Sequence, residues 1–245
     1  MTDVPGGPPE WGARGAVAIP VAVAFCPSPP LLVPAVEGRP DDDTVALRRA
    51  CTEAVAKMLA VRPEAVVVVG DGAAPGVRFG PGDAGDLRGY GVHLTVPFAG
   101  GVRLEGRRLP LAHTLGAWLL DEAGFAGTRV GVGPADLGRL LRDLPGPLGV
   151  LAMGDGSARR TVKAPGYLDE TAVPFDTAVA TALTAGDAGA LAALDEAEGK
   201  RLLAAGVPTW RAVGAALAGR DVRARLHLHD APFGVGYLAA AWTAT

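Results

Sequence analysis

Two apolar runs that each end in a Gly-Asp-Gly turn constrain this chain more than any other feature. Residues 66–69 lead into one such turn at 70–72, and residues 148–153 lead into a second at 154–156. A buried strand that stops in a glycine-rich polar loop is typical of an open α/β sheet, which binds ligands at the carboxyl ends of its strands. We therefore expect the functional site to lie beside these two turns.

The composition excludes several classes of protein. The chain has 245 residues, of which 49% are hydrophobic, and this is enough for a substantial core. Its apolar runs are too short to cross a bilayer, and its first residues lack the pattern of an export signal, so we expect neither a membrane span nor a signal peptide. Cys26 and Cys51 are too few for a disulfide framework, which favours a reducing, cytoplasmic location. The net charge of −3 argues against bulk binding of nucleic acid.

Hydrophobic periodicity predicts strands that alternate with helices. We expect strands at residues 21–25, 66–69, 92–98, 128–132, 148–153, 225–229 and 235–242. We expect helices at residues 41–59, 111–125 and 134–143, and three or four more within 175–219. This order predicts a single-domain, three-layer α/β sandwich with a mixed, mostly parallel central sheet and helices on both faces.

Two segments are predicted to lack regular structure. Residues 1–16 are rich in proline and glycine and have no period, which indicates a flexible N-terminal tail. Residues 73–88 are rich in glycine and are predicted as a loop. The remainder, residues 17–245, is expected to form one domain because no linker divides it.

The second Gly-Asp-Gly turn leads into a basic segment. Ser157 follows the turn directly, and Arg159, Arg160 and Lys163 follow soon after. Cations beside a glycine turn whose amides point outward can hold a carboxylate or a phosphate. A solvated basic loop is the alternative, and the spacing lacks the glycine–lysine pattern of a nucleotide-hydrolase phosphate loop.

Two further loop residues are candidates. Ser28 lies between two prolines after the first strand, and this rigid setting suits either a fixed site residue or an ordinary connection. Asp71, in the first turn, can bind a metal, act as a base, or accept hydrogen bonds from the amides of its own turn.

The histidines offer one candidate metal site. His227 and His229 are two residues apart on a predicted strand, so we expect both side chains on one face, with Asp230 at the strand end. Two histidines and an acid can contribute to a divalent metal site. They are not a complete site, and no His-Glu-x-x-His or paired Cys-x-x-Cys motif is present. The Cys26 thiol is expected to be buried and inert.

Several segments together resemble the class III extradiol dioxygenase superfamily, in the branch of its catalytic subunits that also includes the Memo-like proteins. The resemblance covers about residues 21–242 and is closest to uncharacterised actinobacterial members. The matching segments are 25–34, 66–72, 154–159, 164–167, 174–176 and 231–237.

Active members of this superfamily hold non-haem iron through two histidines and a glutamate or equivalent, and a further histidine acts as acid and base. The resemblance places Ser28 and Asp71 at the two histidine-ligand positions and Ala158 at the acid–base position. The third ligand has no assigned position. A serine hydroxyl and a lone aspartate are poor substitutes for imidazole, and loss of the proton-transfer residue costs about 10²–10⁴ in rate. We therefore expect no ordinary iron-dependent ring cleavage.

Three functions remain open. In the first, a repurposed pocket binds a small polar or anionic ligand without iron, as a binding module or a metal-free enzyme. Its residues are Ser28, Asp71, Asp155, Ser157, Arg159 and Arg160.

In the second, an active oxidoreductase of the extradiol type holds Fe(II) or another divalent metal through relocated ligands. The candidate ligands are Asp71, His227, His229 and Asp230. In the third, the chain is a non-catalytic partner subunit or a homo-oligomer whose interface comes from the apolar helices of residues 175–219. The first is favoured.

Overall fold

The structure is a computed structural model that describes residues 20–245. The predicted tail at residues 1–16 lies outside the described residues. Within them, the strands are β1 (Val21–Cys26), β2 (Ala65–Val69), β3 (Arg78–Phe79), β4 (Ala84–Asp86), β5 (Thr95–Pro97), β6 (Thr128–Val132), β7 (Leu148–Met153), β8 (Val222–Asp230) and β9 (Tyr237–Ala244). The helices are α1 (Pro34–Glu37), α2 (Asp42–Leu59), α3 (Leu111–Glu122), α4 (Pro134–Asp143), α5 (Ala172–Ala185), α6 (Ala188–Ala192), α7 (Glu196–Arg201) and α8 (Val207–Ala216).

Seven strands form one mixed sheet in the order β3-β6-β2-β7-β1-β9-β8. The four central strands β6, β2, β7 and β1 are parallel, whereas β3 and β9 run against their neighbours. β8 runs against β9 and therefore in the direction of β1. The predicted mixed, mostly parallel sheet is confirmed.

Helices cover both faces of the sheet, so the predicted three-layer sandwich is also confirmed. On one face, side chains of α4, α5, α6 and α8 pack on the sheet, and the largest buried side chains there are Trp210 of α8 and Trp242 of β9. On the other face, α2 and α3 pack on the sheet through residues such as Met58 and Leu120. β2 and β7 are buried at every position because both of their faces are covered, which explains their unbroken apolar sequences. Within residues 20–245, no helix is both long enough and apolar enough to cross a membrane.

The N-terminus of α2 begins at the predicted cap. The Asp41 side chain accepts a hydrogen bond from the Thr44 amide at 2.8 Å, and the Thr44 hydroxyl accepts one from the Asp41 amide at 3.3 Å. This reciprocal pair satisfies two of the amides that a helix leaves without partners. The apolar spacing that predicted the helix corresponds to its buried face, on which Leu47, Cys51 and Met58 lie.

The segment between β2 and α3 differs from the prediction. Residues 73–88, predicted as a loop, contain β3, which pairs with β6, and β4, which pairs with β5. The strand predicted at 92–98 is shorter and covers only β5. Backbone pairing with the sheet edge and within a small hairpin overrides the weak local propensity of these glycine-rich residues.

The indole of Trp242 gives a test of the packing between the sheet and α5. Its Nε1–H donates to the Leu183 carbonyl at 2.7 Å in the core, and its ring meets Phe25 edge-on at 5.0 Å. Trp242→Phe keeps an aromatic ring but leaves the buried carbonyl without this donor, so we expect a loss of about 1–3 kcal/mol in the free energy of unfolding. Urea denaturation measures it. Trp118→Phe, at a half-buried position on α3, is the matched control; equal losses in the two variants would contradict the expectation.

Candidate functional site

The loops that follow β1, β2 and β7 meet at the carboxyl edge of the sheet, as predicted. The loops after β1 and β7 are joined directly, because the Ser28 amide donates to Oδ1 of Asp155 at 2.7 Å. The Asp155 carbonyl in turn accepts the Gly206 amide at 2.8 Å, which fixes the start of α8 over the same edge. Gly154 faces Gly206 so closely that a Cβ on Gly154 would collide with its backbone. The edge is therefore a rigid platform.

Asp155 has an unusual electrostatic setting. Burial raises the pKa of its carboxyl group to about 6, and the hydrogen bond from the Ser28 amide opposes that rise. Tyr237 begins β9 at the same edge, and burial together with the charge of Asp155 raises the pKa of its phenol well above the usual value. The platform thus carries a carboxyl group that titrates near neutrality beside a phenol that stays protonated.

The amides after the second Gly-Asp-Gly turn do not point outward, so the expectation of free amide donors at this loop is wrong. Gly156 donates to the Gly236 carbonyl at 2.7 Å, and Ser157 donates to Oδ1 of Asp176 at 2.8 Å. Ala158 donates to the Leu202 carbonyl at 3.0 Å. These donors are used to hold neighbouring loops, so they are not available to a bound anion.

Asp176, on α5, is the residue that organises this loop. Its side chain is 0% exposed and accepts from both the Ser157 amide and the Arg160 guanidinium, each at 2.8 Å. Gly156 and Gly236 lie against its carboxylate, and a Cβ on either would collide with it. Burial raises the pKa of Asp176, while the Ser157 amide and the Arg160 cation lower it.

Two more of the predicted pocket residues have structural partners. Ser157 is fully buried, and its hydroxyl donates to the Leu202 carbonyl at 3.0 Å and accepts from the Arg159 amide at 3.1 Å. Arg160 is bound to Asp176, with 15% of its side chain exposed. Arg159 is half-buried, its aliphatic part lies against Gly166, and its Nε has no hydrogen-bond partner.

A cavity of about 760 Å³ opens beside the first Gly-Asp-Gly turn. Asp71 lines it, just after the end of β2. Within residues 20–245, no other predicted pocket residue lines this cavity. Its Oδ1 also accepts the Gly72 amide at 2.7 Å, so the side chain has the predicted role within its own turn as well. The rest of the lining comes from α7, the loop that follows it and the start of α8, through Glu196, Ala197, Gly199, Lys200, Leu203, Ala204, Ala205, Val207 and Pro208.

Sequence reasoning missed the charged residues of this part of the lining. Glu196 and Lys200 are in an alanine-rich and leucine-rich stretch, where charged residues normally indicate the solvated side of a helix. Asp195 caps α7 by accepting from the Ala197 amide at 2.8 Å, and Gly199 lies against Val207 at the start of α8. An Asp before a short charged helix was the available signal for the cap. No sequence signal placed that helix over the first turn.

The prediction that His227 and His229 share one face is wrong. The register of β8 against β9 shifts between Leu226 and Leu228, which is a β-bulge. Because of this extra residue, His227 points to α2, where its Nδ1 lies 3.1 Å from Oε2 of Glu53. His229 lies on the other side of the sheet, near Asp176 of α5, and burial lowers its pKa.

The residues at the carboxyl edge do not fit the iron that the resemblance implies. Ser28 contributes its amide to Asp155, Asp71 is a lone carboxylate, and Ala158 has no side-chain donor atom. Within residues 20–245, no three His, Cys, Asp or Glu side chains are grouped to hold a metal ion. The alternative set is likewise dispersed, since its two histidines are on opposite faces. Fe(II) needs several nitrogen or carboxylate donors at one point.

Comparison with known proteins finds weak structural similarity. No family model matches the chain, and no curated protein sequence matches it. The crystal structure of the uncharacterized protein JW3007 from Escherichia coli K12 aligns with a TM-score of 0.46 at 18% sequence identity, over 91% of this chain and 99% of that chain. None of these comparisons names a function for the chain.

The Asp176–Arg160 pair should stabilise the protein far more than a surface pair. Asp176→Asn leaves a mostly buried guanidinium without its counter-charge, and we expect a loss of about 3–5 kcal/mol in the free energy of unfolding. The control is Asp169→Asn, because Asp169 pairs with Arg201 at the surface and should contribute much less. Urea denaturation of both variants measures the contrast; similar losses would show that the buried pair has no special role.

The Asp155 carboxyl group should make stability depend on pH. Its pKa is about 6 in the folded chain against 3.8 as its ordinary value, so the folded state binds the proton more tightly. The contribution of Asp155 to the free energy of unfolding therefore falls as pH rises from about 4 to about 6, by on the order of 2–3 kcal/mol. Asp155→Asn keeps an oxygen for the Ser28 amide and removes the titration. We expect the variant to be the more stable at pH 7.5, with the difference shrinking toward pH 4 in urea denaturation; a difference independent of pH would contradict this.

Proposed function

We propose that the chain is a small-molecule binding protein with a class III extradiol dioxygenase-like fold, whose pocket takes a small polar or anionic ligand without iron. The observation that carries the proposal is the cavity of about 760 Å³ at the carboxyl edge, with Asp71 on its wall. This volume is in the range of small-molecule sites, and the edge is where open α/β sheets bind ligands.

The lining of the cavity narrows the chemistry of the ligand. Most lining residues are apolar or glycine, which suits an apolar body. Lys200 supplies a cation for an anionic group, while Asp71 and Glu196 supply acceptors for a hydroxyl or an amine. We therefore propose a compact amphipathic molecule with one anionic group and one hydrogen-bond donor, such as a hydroxy acid or an amino acid.

The loss of the family's histidines supports a pocket without iron. Ser28 and Asp71 stand at the positions where the resembled superfamily has its histidine ligands, and Ala158 stands at the acid–base position. In this chain the Ser28 amide and the Ala158 amide both bind neighbouring loops. These residues hold the platform together, and the pocket lies beside them. A cytoplasmic location is part of the proposal, since both cysteines are free and buried, as in a reducing compartment.

Lys200 gives the direct test. Calorimetry with a panel of small hydroxy acids and amino acids should find a saturating ligand, and Lys200→Met should weaken its binding by about tenfold or more through loss of a charge-assisted hydrogen bond. Lys57→Met is the matched control, because Lys57 is exposed on α2, on the other side of the sheet. An equal loss in both variants, or no saturating ligand in the panel, would count against the pocket.

Metal analysis tests the absence of iron. Protein purified without chelator should contain iron far below one equivalent, and added ferrous ion should not produce opening of catechols. Stoichiometric iron that disappears in Asp71→Ala would overturn the proposal and favour an active dioxygenase.

A further inference from the structure

A second cavity, of about 340 Å³, lies in the segment between β2 and α3. It shares no lining residue with the cavity beside Asp71. Three arginines line it, Arg88, Arg107 and Arg108, together with a single carboxylate, Asp86. Three guanidinium groups against one carboxylate leave an excess of positive charge at this cavity.

The backbone holds two of these arginines in fixed positions. Residues 107–109 run alongside β4, because Ala84 donates to the Arg107 carbonyl at 3.1 Å and Leu109 donates to the Ala84 carbonyl at 2.9 Å. β4 pairs with β5 on its other side, and a single parallel bridge between Ala84 and Arg108 joins the segment to this two-stranded sheet. The Arg107 amide also donates to Oδ1 of Asp83 at 2.7 Å.

Three glycines, Gly82, Gly85 and Gly106, contribute to the lining of the cavity. Gly85 lies against Thr114 of α3, and a Cβ there would collide with the threonine side chain. Gly106 lies against the Gly82 carbonyl with the same consequence. Close packing therefore requires glycine at these two positions, and neither adds a side chain to the lining.

The positive charge is only partly neutralised. Oδ2 of Asp86 is 3.4 Å from Arg108, and its Oδ1 accepts the backbone amide of Arg88, whose guanidinium makes no ion pair within residues 20–245. Residues 78–108 contain five arginines and three acidic residues, a formal charge of +2. The whole chain carries −3, so the rest of the chain carries −5.

We propose that this cavity binds the phosphate group of a small phosphorylated molecule. The guanidinium group of arginine is planar and presents several N–H donors that match phosphate oxygens, and three arginines line this one cavity. The volume of the cavity suits a small ligand rather than an extended polymer. The negative charge of the remaining chain disfavours a nucleic-acid backbone, whose binding depends on extended positive surface.

Titration with inorganic phosphate and with pyrophosphate tests the site. The full chain at low ionic strength should bind each of them saturably at one equivalent, measured by calorimetry and by phosphorus-31 NMR. The double variant R88Q/R108Q should bind at least about tenfold more weakly, because two charged donors are removed. R39Q/R142Q is the charge-matched control, since Arg39 and Arg142 are both exposed and neither lines the cavity. It should bind as the wild type does, and thermal unfolding shows whether each variant is folded.

Three outcomes would overturn the proposal. The first is the absence of saturable binding at about 10 mM of either probe, well above a millimolar dissociation constant. The second is an equal loss in R39Q/R142Q, which would indicate an effect of net charge alone. The third is single-stranded DNA that binds more tightly than pyrophosphate with steep salt dependence, which would assign the arginines to a nucleic-acid surface. Because the two cavities share no lining residue, failure here leaves the pocket beside Asp71 untouched.

Discussion

The structure of the loops at the carboxyl edge of the sheet depends on the contacts of one buried carboxylate, that of Asp176. It joins α5 to the loop after β7 through the Ser157 amide and the Arg160 guanidinium. It also fits against Gly156 and Gly236, so the entry to β9 is shaped by the same group. A buried charge is costly unless its partners are complete. The loop geometry beside the proposed pocket is thus set by a requirement to satisfy one carboxylate.

The sheet and its helices could be predicted because their sequence patterns are local. β2 and β7 are unbroken apolar runs because both faces are covered, and α2 shows a helical period with a reciprocal cap at Asp41. The segment between β2 and α3 could not be predicted, because its short strands form only by pairing: β3 pairs with β6, and β4 pairs with β5. Such pairing is a tertiary effect that local propensity does not contain.

The site was predicted less well than the fold, for physical reasons. The position of the two Gly-Asp-Gly turns at one edge follows from parallel strands, but the direction of each amide does not. Sequence patterns suggested that the basic loop offers free donors and cations, whereas Arg160 and the amides of residues 156–158 have partners inside the protein. Lys200 and Glu196 reach the cavity through the packing of α7 over the first turn, a placement no short motif encodes.

The bulge in β8 changes the parity of that strand. Before it, Leu226 packs with the α5 layer; after it, Leu228 packs with the α2 layer, although the two are an even number of residues apart. Successive side chains therefore alternate between the two faces of the sheet only within each half of the strand. Any alignment that matches β8 to a regular strand by spacing alone assigns one half of its side chains to the wrong solvent or core environment, including one of its two histidines.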